Sequence, residues 1–161
     1  MNCLVKKLRP DAKIPEKAHI SDTGYDLWIL DEHKKLDNGV VMYSTGISLQ
    51  PAYGTYFEIV PRSSIIKTGY IQANGIGVID QSYRGELFVP LVKIDEDAPD
   101  LELPKKIAQL VVRKVNTCDF VEVEELTDTI RGAGGFGSTD RVGFKPEAFH
   151  VTSSSSEGSD E

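Results

Sequence analysis

Cysteine and histidine are scarce in this chain of 161 residues, which has two of the first and three of the second. Cys3 and Cys118 stand far apart in unrelated contexts, and no C-x-x-C occurs. Neither a disulfide framework nor a cysteine-ligated zinc site is expected. His19, His33 and His150 show no ligand spacing, so no zinc site and no Ser-His or Cys-His catalytic pair follows from them. Long apolar runs are missing, and none approaches the length of a membrane span. The N-terminal MNCLVKKLRPDAK lacks the apolar stretch of a signal peptide. The expected setting is therefore intracellular, cytoplasmic or nuclear, a virus acting in its host included. Positive charge is short as well: 18 Lys and Arg face 25 Asp and Glu, a net charge of −7. Such a balance speaks against nucleic-acid or membrane partners, which need a basic footprint. Any anionic substrate has to meet positive potential assembled locally from a few side chains and N–H groups. Helical periodicity is nearly absent, and no internal repeat is evident.

Short apolar or alternating runs take the place of helices. They cover Leu4–Leu8, Tyr25–Leu30, Val40–Tyr43, Thr55–Val60, Glu86–Val92, Lys106–Arg113 and Phe120–Val123, with Gly, Pro, Asn and Asp between them. Many short strands separated by turn signals predict an all-β sandwich or barrel. Hydrophobic residues at 40% and charged residues at 27% suit one globular domain with a core. Leu87–Val92 is almost unbrokenly apolar, which predicts burial on both faces. One short helix is expected at Ser63–Lys67, with Ser63 and Ser64 able to cap it. Asn74-Gly75 signals a hairpin turn. Val151–Glu161 is serine-rich and acidic and cannot bury a core, so a disordered tail is expected there. Its serines followed by acids also suit acid-directed kinases. The resulting division is a domain over 1–140, with a lid segment at 131–140, and an extension over 141–161.

Arg131-Gly-Ala-Gly-Gly-Phe-Gly-Ser-Thr-Asp140 gathers a guanidinium, four glycines, an aromatic ring and two hydroxyls. Glycines let backbone N–H groups close around an anion. Arginine offers a forked cation to phosphate, and phenylalanine a face for a base. Residues 132–137 match G-x-G-x-x-G, but Gly143 and Pro146 follow where a dinucleotide fold needs a helix. A P-loop fails too, because no lysine precedes Ser138. A flexible linker has the same composition.

Four further segments carry chemistry-bearing residues. Thr23-Gly-Tyr-Asp-Leu27 places Asp26 at a strand start. Pro61-Arg-Ser-Ser64 sets Arg62, Ser63 and Ser64 at a helix N-terminus, where anions are favoured. Ile79-Asp80 with Tyr83 sets a carboxylate at a strand end, where it can act on water, and brings a ring near it if the chain turns. Lys105–Leu110 holds Gln109 in an apolar strand, where a buried amide needs a partner. Each segment taken singly is equally well a turn, a capped helix, a plain hairpin or an amide bonded to neighbouring backbone.

Taken in order, TGYDL, PRSS, GVIDQSYRGE, KIAQL and RGAGGFGST resemble the five motifs of the trimeric deoxyuridine triphosphatase (dUTPase) family, over about Leu4 to Thr139. The resemblance implies a jelly-roll-like β-barrel with a C-terminal arm exchanged in a homotrimer and three sites at subunit interfaces. It implies Mg²⁺-dependent hydrolysis of dUTP to dUMP and pyrophosphate, which keeps uracil out of DNA and supplies dUMP for thymidylate synthesis. Asp80 would contact the 3′-hydroxyl and activate water, and Tyr83 would stack under the deoxyribose. Asn74, Gly77, Val78 and Ile79 would read uracil largely through backbone groups. Arg62, Ser63, Ser64 and Gln109 would bind phosphates, and Asp26 would touch a water of the Mg²⁺. Phe136 would cover the base, Arg131, Ser138 and Thr139 would grip the terminal phosphates, and Gly137 would contact the substrate. Three positions depart from the family pattern: Ser64 replaces a glycine, Pro104-Lys105-Lys106 replaces Gly-acid-Arg, and Asp140 replaces a terminal glycine. Lysine is not the geometric equal of arginine at a forked contact. Two competing functions fit the same motifs in part, a deoxycytidine triphosphate deaminase relative and a non-catalytic nucleotide-binding regulator.

Overall fold

The alternating runs form two antiparallel sheets in the computed structural model, which describes residues 1–135. Among the described residues there are nine strands: β1 (Leu4–Lys7), β2 (Tyr25–Ile29), β3 (Asp31–Lys35), β4 (Val41–Gln50), β5 (Thr55–Pro61), β6 (Tyr70–Gln72), β7 (Gly77–Ile79), β8 (Glu86–Lys93) and β9 (Lys105–Lys114). One sheet runs β1-β4-β8-β6, with β3 also paired to β4; the other runs β2-β9-β5-β7. Alternation gives each sheet one apolar face, and two such faces escape water by packing together. Tyr43, Ile47, Leu87, Val89 and Leu91 from the first sheet meet Leu27, Ile29, Phe57, Ile59, Ile107 and Leu110 from the second. Each large apolar side chain buried this way contributes about 1.5–3 kcal/mol. The result is the expected all-β, jelly-roll-like fold with a single short helix.

The chain divides into two compact units, Met1–Cys118 and a second beginning at Asp119. All nine strands belong to the first. No described helix is long and apolar enough to cross a membrane.

Several local expectations are corrected. β3 was not foreseen, because Asp31-Glu-His-Lys-Lys35 reads as solvated loop; it is an edge strand, which needs no apolar face. β4 extends seven residues beyond Tyr43, to Gln50. Ser44, Thr45 and Gly46 break the apolar pattern there but are buried and bonded: Thr45 Oγ1 donates to Leu87 O at 2.7 Å. β8 is not buried on both faces; Leu87, Val89 and Leu91 are buried while Phe88, Pro90 and Val92 are half-buried. Asn74-Gly75 does make a turn, with Gly75 at φ +64°, but not a hairpin. β6 pairs with β8 and β7 with β5, so the turn crosses from one sheet to the other. Phe120–Val123 is no strand; Phe120 is 96% exposed and finds no partner strand among the described residues.

Candidate active site

Register places three motifs side by side. Asp26 of β2 pairs with Gln109 of β9, and Gln109 pairs with Val60 of β5. Arg62 follows β5 directly, its N–H donating to Ile107 O at 3.0 Å. Asp26, Arg62, Ser63, Gln109 and the backbone of Thr23-Gly24 therefore line one polar pocket of about 280 Å³.

Asp26 is buried, 8% exposed. A buried carboxylate needs paired charge, and this one has two cations. Arg62 Nε lies 2.8 Å from Oδ1 and Lys106 Nζ 3.1 Å from Oδ2. Lys106 thus serves Asp26 as a point charge where the family pattern has arginine. It also lies 3.6 Å from Glu16 and 5.1 Å from the Trp28 ring centroid, which together hold its stem in place. Gln109 is half-buried, and its Nε2 donates to Pro61 O at 3.2 Å, so its partner is neighbouring backbone. Its other end presses on Gly24, where a Cβ would stand 2.1 Å from Oε1. A larger residue there would displace the Gln109 amide.

The short helix is a 3-10 turn at Ser63–Lys67, and its cap is corrected. Arg62 occupies the N-cap position, and no side chain caps it. Ser63 and Ser64 are exposed, and Ser63 faces the pocket. A guanidinium, a hydroxyl and an amide line this pocket beside the carboxylates of Asp22 and Asp26, and such donors suit a phosphorylated ligand.

Asp80 and Tyr83 lie in a second cleft of about 220 Å³, shared with Ile79, Glu86 and Phe88. The chain turns as the motif requires: Tyr83 N donates to Asp80 O at 3.1 Å. Tyr83 Oη donates to Glu86 O at 3.0 Å, laying the ring over Gly85. Asp80 is exposed to solvent. Glu86 was not foreseen as a site residue. Its carboxylate accepts from Ser44 Oγ and from Gly46 N (2.8 Å), and Ser48 Oγ donates to Arg84 O at 2.6 Å. These bonds tie the Asp80–Tyr83 loop to β4. The only signal was an acid opening an apolar strand.

Asn74, Gly77 and Val78 occupy the turn and strand between the sheets. Gly77 pairs with Ile59 and Ile79 with Phe57. Asp80 is therefore near the start of β5 and Arg62 past its end. At about 3.3 Å per residue, the separation along the strand is roughly 17–20 Å. The polar pocket and the Asp80 cleft share no lining residue. The fold thus joins Asp26, Arg62, Ser63 and Gln109 in one place, and Asp80 and Tyr83 in another. A larger cavity of about 530 Å³, lined by Cys3, Ile14, Tyr25, Leu49 and Phe57, is apolar and holds none of the candidate residues. In the second unit Arg131 Nε donates to Gly134 O at 2.9 Å, closing a local turn. Phe136, Gly137, Ser138, Thr139 and Asp140 lie outside the described residues, as does the 141–161 extension.

A dUTPase family profile matches residues 10–140. A deoxyuridine 5'-triphosphate nucleotidohydrolase of Alkaliphilus metalliredigens is 38% identical over 139 residues, 86% of this chain and 96% of that protein. The one from Arabidopsis thaliana is 39% identical over 135 residues, covering 84% and 81%. Among solved structures, a Staphylococcus bacteriophage 80alpha dUTPase with dUpNHpp superposes with a TM-score of 0.70 at 23% identity, covering 86% of this chain and 98% of that one. A dUTPase of phage phi11 of S. aureus, described with a structural Mg(II) ion, has a TM-score of 0.64 at 20% identity, covering 80% and 100%. With the matched span taking in the polar pocket, the Asp80 cleft and the glycine-rich segment alike, this chain belongs to the dUTPase family.

Proposed function

We propose that this chain hydrolyses dUTP to dUMP and pyrophosphate, at sites shared between copies in a homotrimer. The observation that carries this is the convergence of Thr23–Asp26, Arg62–Ser63 and Gln109 on one polar pocket in a chain of this family. Arg62, Ser63, Ser64 and Gln109 hold the phosphates. Asn74, Gly77, Val78 and Ile79 read uracil, and a base with another donor and acceptor pattern leaves groups there unpaired. Tyr83 lies under the deoxyribose and leaves no room for a 2′-hydroxyl. Asp80 takes a proton from a water as its oxygen bonds to the α-phosphorus. The bond from that phosphorus to the bridging oxygen breaks, and pyrophosphate leaves. Most of the rate then comes from positioning and neutralised charge, as phosphoryl transfer demands.

A nucleoside triphosphate is continuous, whereas Asp80 and Arg62 of one chain stand in separate clefts. Bringing one copy's Asp80 cleft against the next copy's polar pocket joins them. The exposed Phe120, Val121 and Val123 support an arm that finds its strand partner on another copy. Arg131, Phe136, Gly137, Ser138 and Thr139 then act as the lid, within a functional unit of 1–140 that carries 141–161 as an extension. Such a substrate places the protein inside a cell.

Among the described residues no cluster of three or more His, Cys, Asp or Glu forms a metal cage. One carboxylate, Asp26, already paired to two cations, fits an ion carried in by phosphate oxygens and touched through water, which suits Mg²⁺. When bound, Mg²⁺ would neutralise phosphate charge, and Asp26 would be the carboxylate that orients it through water.

Pyrophosphate release with Mg²⁺ from dUTP, dCTP, dTTP and UTP tests the reading. Turnover is expected for dUTP, and Asp80→Asn is expected to lower kcat at least about 100-fold, the scale of a lost general base. Ammonia from dCTP would point to the deaminase, tight dUTP binding without turnover to the regulator, and an active Asp80→Asn would remove Asp80 from its role.

A further inference from the structure

We propose that Gln72 is a positioning residue for base selection, the group that sets the rotation of the 73–78 turn. This rests on the function proposed above. Gln72 ends β6, is 7% exposed, and pairs with Leu91 in the first sheet. Its amide reaches out of that sheet. Nε2 lies 2.9 Å from Ile59 O of β5 in the second sheet, 3.0 Å from Asn74 Oδ1 and 3.1 Å from Gly75 O. One nitrogen therefore links the first strand of the turn, the turn itself and the opposite sheet.

Among the described residues no other side chain bonds across this turn. β6 and β7 are three residues each and never pair with one another, so no ladder runs across the turn to set its twist. Backbone closure amounts to Gly75 N on Gln72 O at 3.2 Å, with Ala73 N on Pro90 O at 2.9 Å on the first-sheet side. On the second-sheet side Gly77 lies against Ile59, and a Cβ there would stand 3.1 Å from Asn74 Nδ2. The turn thus closes over the Gln72 amide.

The amide's orientation is unique. Three oxygens surround the nitrogen, and a flip would set Oε1 against all of them. Oε1 itself is buried without a protein partner. The bonds that fix this side chain are therefore those of its N–H groups. An apolar residue there would leave Ile59 O, Asn74 Oδ1 and Gly75 O without this donor. What the N–H groups do is aim Asn74 and the carbonyls around it. Those are the groups that must match a base by donor and acceptor, where misplacement by a fraction of an ångström erodes discrimination.

The full chain tests this through Gln72→Met, which keeps the volume and loses the donors, and Gln72→Asn, which keeps an amide but withdraws it by one methylene. Pyrophosphate release from dUTP, dCTP and dTTP is measured with Mg²⁺, alongside Tm. Both variants are expected to raise KM for dUTP about tenfold and to narrow the kcat/KM preference over dCTP and dTTP about fivefold or more, the scale of one or two lost hydrogen bonds. The kcat for dUTP should stay within about twofold, because Asp80 and Tyr83 are held separately from β4. If Gln72→Met does not fold, Gln72→Asn carries the comparison. A folded variant with unchanged preference, or one that loses only Tm and kcat, overturns the proposal. Preference is also read as a ratio of Kd values by calorimetry. A wild type that selects dUTP without turning it over would then refute the hydrolase reading alone.

Discussion

At the scale of single residues, the site depends on side chains that are missing. A Cβ on Gly85 would lie 2.3 Å from Tyr83 Oη and 2.5 Å from its Cζ. The ring is exposed enough to move aside, so the fold can absorb a methyl group that the site cannot. Gly85→Ala is expected to lower kcat/KM for dUTP about 10- to 100-fold, the range for small misplacements of a positioning group. Tm should fall by less than about 2–4 °C, corresponding to under 1 kcal/mol. A full loss of Tm with the residual folded fraction fully active would contradict this. Gly85 is visible in the sequence as part of a motif, but its reason is not, because the clash is with a neighbour's ring. The Lys106 ammonium teaches the same point. Its geometry differs from arginine's, yet its height on β9 brings it to Asp26 all the same.

At the scale of elements, β5 and β9 are joined outside the core by Glu58 and Arg113. Arg113 Nε lies 2.9 Å from Glu58 Oε2, and Tyr56 Oη donates to Glu58 Oε1 at 3.0 Å. Arg113 first, and Tyr56 second, hold the Glu58 carboxyl below the usual carboxylate range. A carboxylate shifted down on folding adds stability above its unfolded value, near pH 4.3. That contribution fades as pH falls through the lower folded value. Arg113→Gln is therefore expected to lower Tm slightly at neutral pH and to flatten its fall between about pH 5 and 3, as followed by circular dichroism. An acid limb as steep as the wild type's would show that this pair does not contribute. The strands themselves were legible where apolar residues alternate, as in β2, β5 and β9. β3 and most of β4 were not, because an edge strand needs no apolar face, and Ser44 and Thr45 are buried only because β8 offers them acceptors.

At the scale of the whole molecule, the two clefts of one chain imply a test by mixing. A variant of Asp80 and a variant of Gln109 should each be nearly inactive alone. Unfolded and refolded together at equal amounts, copies assembling as the proposed homotrimer would be mixed, with one site taking Asp80 from one copy and Gln109 from the next. About a quarter of the sites, one half times one half, then have both intact, and about that fraction of wild-type activity should return. No recovery would mean that one chain makes a whole site. The sequence by itself determined the all-β class, the short helix, and the family through five motifs in order. Those features are local, since alternation, turn residues and motif spacing are written in neighbouring positions. Only the tertiary structure decided that Asp26 is held by Arg62 and Lys106, that the Asn74-Gly75 turn passes between sheets over the Gln72 amide, and that Asp80 stands apart from the pocket lined by Arg62 and Gln109. Each of these depends on which strand lies beside which and in what register. Such pairings join residues dozens of positions apart, and no short stretch of sequence records them.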